Sequence, residues 1–127
     1  MMGAVAKQRL FVVDDQAQIA DALTIVLGRM AEFDVETFYD ARSALLRMRD
    51  CLPDILVTDV NMPEMDGIDL AEALQERYPS CKIILMSGNP YSNGRGEWKA
   101  DRLNGFVLLL KPFSIKQLLC HIASEPL

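Results

Sequence analysis

Four short apolar runs, each halted by a polar residue, constrain this chain more than any other feature. Leu10–Val13 stops at Asp14 and Asp15, Ile55–Val57 leads to Asp59, Lys82–Met86 stops at Ser87, and Phe106–Leu110 stops at Lys111. Runs of this kind predict strands covered on both faces. Between them, apolar residues return at helical spacing. The sets are Ile19, Leu23, Val26, Leu27 and Met30; Ala44, Leu45 and Met48; Ile68, Ala71, Leu74 and Tyr78; and Ile115, Leu118, Leu119 and Ile122. A fifth segment, Phe33–Phe38, alternates apolar and polar residues like a partly exposed strand. Asp40 is placed to cap a helix running to about Arg49, Ser114 to cap the last one, and Pro79 to end the third. Strands alternating with helices imply an α/β fold: a doubly wound five-stranded parallel sheet with helices on both faces.

At 127 residues the chain suits one domain. The folded core is expected over about residues 8–124 of a single unit spanning 1–127, with no output domain. The net charge is −5 and the basic residues form no run, so direct nucleic-acid binding is not expected. No apolar stretch approaches the ~20 residues of a bilayer span, and the N-terminus does not read as a signal peptide. Cys51, Cys81 and Cys120 read as small buried hydrophobes in a reducing compartment, so a cytoplasmic location is expected.

In such sheets ligands bind beyond the carboxyl ends of the strands. Asp14, Asp15, Asp59, Ser87 and Lys111 all stand where an apolar run ends, so they should converge on one rim. Three carboxylates and one ammonium leave an excess of negative charge, which a hard divalent cation such as Mg²⁺ would offset. The same cation would serve a phosphoryl group, whose transfer needs an in-line nucleophile and positive charge on the equatorial oxygens. Asp59 stands alone at the end of a central strand and is the candidate nucleophile. Asp14 and Asp15 are suited to holding the ion, Lys111 adds positive charge, and the Ser87 hydroxyl can donate to a phosphoryl oxygen. Taken singly, each residue has a plainer reading. Asp15–Gln18 fits a capping box, Asp59 could cap a turn, Ser87–Pro90 could be only a turn, and Lys111 could end a strand in solvent. Five such residues at the ends of four successive runs make joint coincidence remote.

The motifs carrying these residues are FVVDD at Phe11–Asp15, VTDVNMPEMDG at Val57–Gly67, MSG at Met86–Gly88 and KPF at Lys111–Phe113. Together they resemble the response-regulator receiver domain of two-component signalling, over essentially the whole chain. The resemblance implies a flavodoxin-like receiver fold with strand order 2-1-3-4-5. It implies that Asp59 accepts a phosphoryl group from a histidine kinase or histidine phosphotransfer protein. The altered surface would then act on a downstream protein target or output domain. Mg²⁺ is the implied cofactor, held directly by Asp15 and Asp59, by the backbone carbonyl of Asn61, and by Asp14 mainly through water. Ser87 is the implied switch hydroxyl and Lys111 the lysine of the family motif, with a cis Lys111–Pro112 peptide. Such a switch catalyses only its own phosphorylation and dephosphorylation.

Two other functions remain open at this point. One is a receiver-shaped protein-binding module that is never phosphorylated. The other is a haloacid-dehalogenase-like phosphatase, which needs a second acid two residues past its nucleophile, where this chain has Asn61. The chain departs from the receiver pattern at Leu108, where the family carries Tyr, Phe or His as a rotameric readout. Leu108 is expected to stay buried, and the response to concentrate in Pro90–Leu103. The stretch from Gly88 to Gly105 reads as a long loop followed by a short helix. Within it, Asn93–Gly96 reads as a turn and Trp98 as either a partner anchor or loop packing. His121 reads as a helix-surface or packing residue, and Met62 and Met65 as packing around the site loop.

Overall fold

The computed structural model describes residues 6–88 and 106–123. Strands β1 (Gln8–Val13), β2 (Phe33–Phe38), β3 (Ile55–Asp59), β4 (Lys82–Ser87) and β5 (Val107–Leu110) form one sheet in the order β2-β1-β3-β4-β5. Every pairing is parallel. Helices α1 (Ala17–Gly28), α2 (Ala41–Arg47), α3 (Gly67–Arg77) and α4 (Ile115–Ala123) connect and cover it. The readings that lie between Asn89 and Gly105, including the loop, the turn at Asn93–Gly96 and Trp98, fall outside the described residues.

Side chains alternate across a pleated strand, and here both alternating sets are apolar. Phe11, Val13, Leu56, Ile83 and Leu85 face Ala44 and Met48 and the α3 residues Ile68, Leu70, Ala71 and Leu74. Leu10, Val12, Val57, Ile84 and Met86 face Ala20, Leu23 and Leu27 of α1 and Leu118 and Ile122 of α4. Continuous burial of β1, β3 and β4 is therefore the direct cause of the unbroken apolar runs. The fourth run behaves differently. As β5 it is an edge strand, and only Leu109 is buried. Leu108, expected to be buried, is only half-buried, packing with Phe106 against the α2–α3 face.

Local chemistry sets most helix ends. Asp40 accepts the Ser43 N–H at 2.7 Å and Asp66 accepts the Asp69 N–H at 2.8 Å. Ser114 and Gln117 form a reciprocal pair: Gln117 N–H donates to Ser114 Oγ, and Ser114 N–H to Gln117 Oε1. Helix α2 stops at Arg47 rather than Arg49, because the next turns close with three-residue bonds, Arg49 N to Leu46 O and Asp50 N to Arg47 O. Tyr78, preceding Pro79, leaves the helical region at φ −143°. The capping box suggested by Asp15–Gln18 does not form. Gln16 is the α1 N-cap and makes no side-chain capping bond, which leaves the Asp15 carboxylate uncommitted to the helix.

The cysteines also differ from expectation. Cys51 and Cys81 are half-buried, Cys120 is exposed, and all three are free thiols. Burial, helped by the charge of Asp54, pushes the Cys81 thiol up to about 12, so it is not a thiolate near neutrality. His121 is half-buried on α4, and Met62 and Met65 pack against the α2–α3 core, as expected. Among the described residues, no helix is long and apolar enough to cross a membrane.

Candidate functional site

Parallel strands deliver their last residues to one edge, and the five expected residues meet there. Asp14 follows β1 and is wholly buried. Its Oδ1 accepts the Gln16 N–H at 2.9 Å, and its Oδ2 accepts Lys111 Nζ at 3.1 Å. Asp15 is exposed. Asp59 closes β3, 5% exposed, with Oδ1 3.0 Å from Lys111 Nζ. Ser87 closes β4, fully buried, and its carbonyl accepts the Lys111 N–H at 2.8 Å. The Lys111–Pro112 peptide is cis. Carboxylate oxygens of Asp14, Asp15 and Asp59 lie within 4.8 Å of one another. A cleft of about 260 Å³ opens among Asp15, Gln16, Asp59, Asn61, Gly88 and Lys111.

The loop after β3 is built tightly. Val60 N–H donates to Met86 O, and Gly67 N–H donates to Val60 O at 3.0 Å. A Cβ at Gly67 would collide with the Asp59 carbonyl oxygen, so only glycine lets α3 start this close to the end of β3. Glu64 follows Pro63 at φ +68°, a left-handed turn position taken by a non-glycine residue.

Crowding dominates the electrostatics. Burial, and next the charge of Asp14, push the Asp59 carboxyl up to about 6. Lys111 works against that shift, and Asp15 adds to it. Burial by itself favours the neutral amine of Lys111. The hydrogen bond and charge of Asp59, joined by Asp14, overcome burial and hold the ammonium above its ordinary range. The donor set is all oxygen and mostly anionic, so it fits a small hard cation such as Mg²⁺ rather than a soft one. Sequence reasoning missed Gln16 and Gly88 as cleft walls. Nothing in their residue types signals the role, since the backbone path brings them there. Gly67 was visible only as part of the Asp66–Gly67 motif.

A family model for the response regulator receiver domain matches residues 10–123. The chain belongs to the response-regulator receiver domain family. Among curated relatives, the DNA-binding response regulator MtrA of Mycobacterium tuberculosis is 42% identical over 127 residues, covering 94% of this chain and 50% of that protein. The DNA-binding transcriptional regulator NtrC of Proteus hauseri is 31% identical, covering 91% of this chain and 24% of that protein. This receiver thus spans half or less of the length of these relatives. The chemotaxis protein CheY4 of Vibrio cholerae superposes with a TM-score of 0.77 at 25% identity, covering 92% of this chain and 97% of that one. The receiver fold and strand order implied by the motifs are those of the structure. Membership sets aside the phosphatase reading, consistent with Asn61 where that enzyme would need its second acid. The family is one of two-component signalling.

Proposed function

We propose that this receiver is a phosphorylation switch in which Asp59 is the phosphoacceptor. The observation that carries the reading is the Lys111 ammonium, bridging Asp59 and Asp14 at the floor of an otherwise acidic cleft. In the transfer, an Asp59 carboxylate oxygen bonds to phosphorus as the phosphorus–nitrogen bond of a phosphohistidine donor breaks. The departing imidazole nitrogen keeps the electron pair. Lys111 neutralises charge on the phosphoryl oxygens, and the Ser87 hydroxyl donates to one of them. Asp15, Asp59 and the Asn61 backbone carbonyl would hold Mg²⁺, with Asp14 acting mainly through water. When bound, the cation supplies positive charge that the carboxylates lack.

The donor would be a histidine kinase or histidine phosphotransfer protein, and the recipient of the signal a target protein or output domain. The related regulators MtrA and NtrC are DNA-binding proteins longer than this chain, which supports a DNA-binding output for some such arrangement. Nucleic acid is not proposed to touch the receiver itself. An unphosphorylated binding module would have no use for three clustered carboxylates, two of them on one ammonium. Incubation with acetyl phosphate and Mg²⁺, followed by peptide mapping, tests the assignment. One phosphoryl group on the peptide holding Asp59 is expected. Label elsewhere, or none, contradicts it.

A further inference from the structure

Helix α1 begins on a residue poorly suited to begin one. Gln16 is its N-cap, a place where Ser, Thr, Asp or Asn would accept a helix N–H, and the Gln16 side chain makes no such bond. The amide is therefore not drawn into the helix. Gln16 is exposed, and it lines the same cleft as Asp15, Asp59 and Lys111. Of the cleft walls, Asp59 is almost wholly buried, whereas Asp15, Gln16 and Gly88 are exposed. A phosphoryl group on Asp59 would have its phosphorus on the open side of that carboxylate. In-line displacement puts the incoming oxygen opposite the leaving one, so a hydrolytic water would arrive from the exposed walls.

That water is held in place by an acceptor for one of its protons. Asp15 is committed to the cation in the proposed reading, and Gly88 has no side chain. Lys111 has only donors, already turned to Asp59 and Asp14. The Asn61 amide oxygen is closed to solvent. Among the described residues lining the cleft, the side-chain acceptor that remains is the amide oxygen of Gln16.

We infer that Gln16 sets the lifetime of the Asp59 phosphoryl group, its amide oxygen accepting a hydrogen bond from the water that removes it. This role rests on the proposed reading of Asp59 as the phosphoacceptor. The water oxygen bonds to phosphorus as the phosphorus–oxygen bond to Asp59 breaks, and the carboxylate keeps the electron pair. One water proton stays on the new hydroxyl and the other passes to a phosphoryl oxygen, releasing dihydrogen phosphate. The amide takes no proton. It holds the water with a lone pair towards phosphorus, which removes part of the cost of orienting it.

Gln16→Met keeps the length of the side chain and removes the acceptor. Both proteins are labelled with acetyl phosphate and Mg²⁺, the donor is removed by desalting into Mg²⁺, and loss of label is followed by mass spectrometry. The variant should lose label roughly tenfold more slowly, the effect of one hydrogen bond to the attacking water. Two further readouts separate positioning from a structural role. The melting temperature should not change, because the side chain does not cap α1. Affinity for beryllofluoride with Mg²⁺, a phosphoryl mimic with no phosphorus–oxygen bond to hydrolyse, should stay within about twofold, since the water matters only in the transition state. Slower loss accompanied by a lower melting temperature or by weaker beryllofluoride binding overturns the inference. So does loss at the wild-type rate or faster, which leaves Asp59 as the acceptor. Wild type that takes no label overturns the underlying reading as well. If Gln16→Met fails to fold by circular dichroism, Gln16→Ala carries the same three readouts.

Discussion

At the amino ends of the strands, Asp54 has a donor for each oxygen: Oδ2 accepts the Arg9 N–H at 2.9 Å and Oδ1 the Tyr78 hydroxyl at 3.3 Å. Lys82, at the start of β4, donates to the Ile122 carbonyl at 2.9 Å and so helps finish α4. At the carboxyl ends, three carboxylates cluster, two of them (Asp14 and Asp59) share one ammonium, and Asp59 is pushed up to about 6. The Asp54 carboxylate is therefore fully partnered at one end of the sheet, while the other end is left over-acidic. Asp54 and Lys82 tie strands and helices together at the amino end. Under the proposed function, the crowded carboxylates at the acidic end weaken the fold until a cation binds, and that unmet charge is what the switch uses.

The sharpest way to break this contrast is to remove the nucleophile. Asp59→Asn should lose all labelling by acetyl phosphate, read by peptide mapping, while Asp54→Ala keeps it. Next in size is the cation. Asp15→Asn should weaken Mg²⁺ binding by roughly tenfold or more in a calorimetric titration and stop labelling. Its metal-free melting temperature should be unchanged or higher, because like-charge crowding falls. At the other end the expected signs reverse. Asp54→Ala should cost about 1–2 kcal/mol in urea unfolding, by leaving the Arg9 N–H and Tyr78 hydroxyl without their acceptor, with Mg²⁺ affinity untouched. Lys111→Ala should leave Asp59 able to take label while blunting the amide-exchange response to it. A Lys111→Ala protein that responds like wild type would show that the signal leaves the site by another route.

How far the sequence disclosed each end follows from what kind of force acts there. Burial on both faces shows directly in residue type, so β3 and β4 could be read from Ile55–Val57 and Lys82–Met86, and β2 matched Phe33–Phe38 at both ends. Backbone pairing is invisible to such a reading. Strand β1 starts two residues earlier than its apolar run, at Gln8, because Gln8 N–H pairs with Glu32 O whatever its side chain. Caps at Asp40 and Ser114 were legible because the capping atom lies on the named residue. Asp15 looked like a cap by the same logic, yet α1 begins after Gln16. The choice between cap and ligand depends on where neighbouring strands end, which local sequence does not record. Leu108 was placed too deep for a related reason: an apolar run does not say whether its strand lies at the centre or the edge of the sheet.

The central claim is that the acidic end costs stability which a cation restores, and urea unfolding against pH tests it directly. For an acid whose folded pKa is raised, the folded state holds the proton more tightly than the unfolded chain. Its contribution is most favourable at low pH and is lost as pH rises from the unfolded value of 3.8 towards about 6. Without metal, wild type and Asp59→Asn should be close in stability near about pH 4. The variant should then pull ahead as pH rises, by roughly 1–3 kcal/mol at neutrality. Added Mg²⁺ should close or invert that gap, because wild type offers the cation a carboxylate that the variant lacks. A gap that is constant across pH and indifferent to Mg²⁺ would contradict the account.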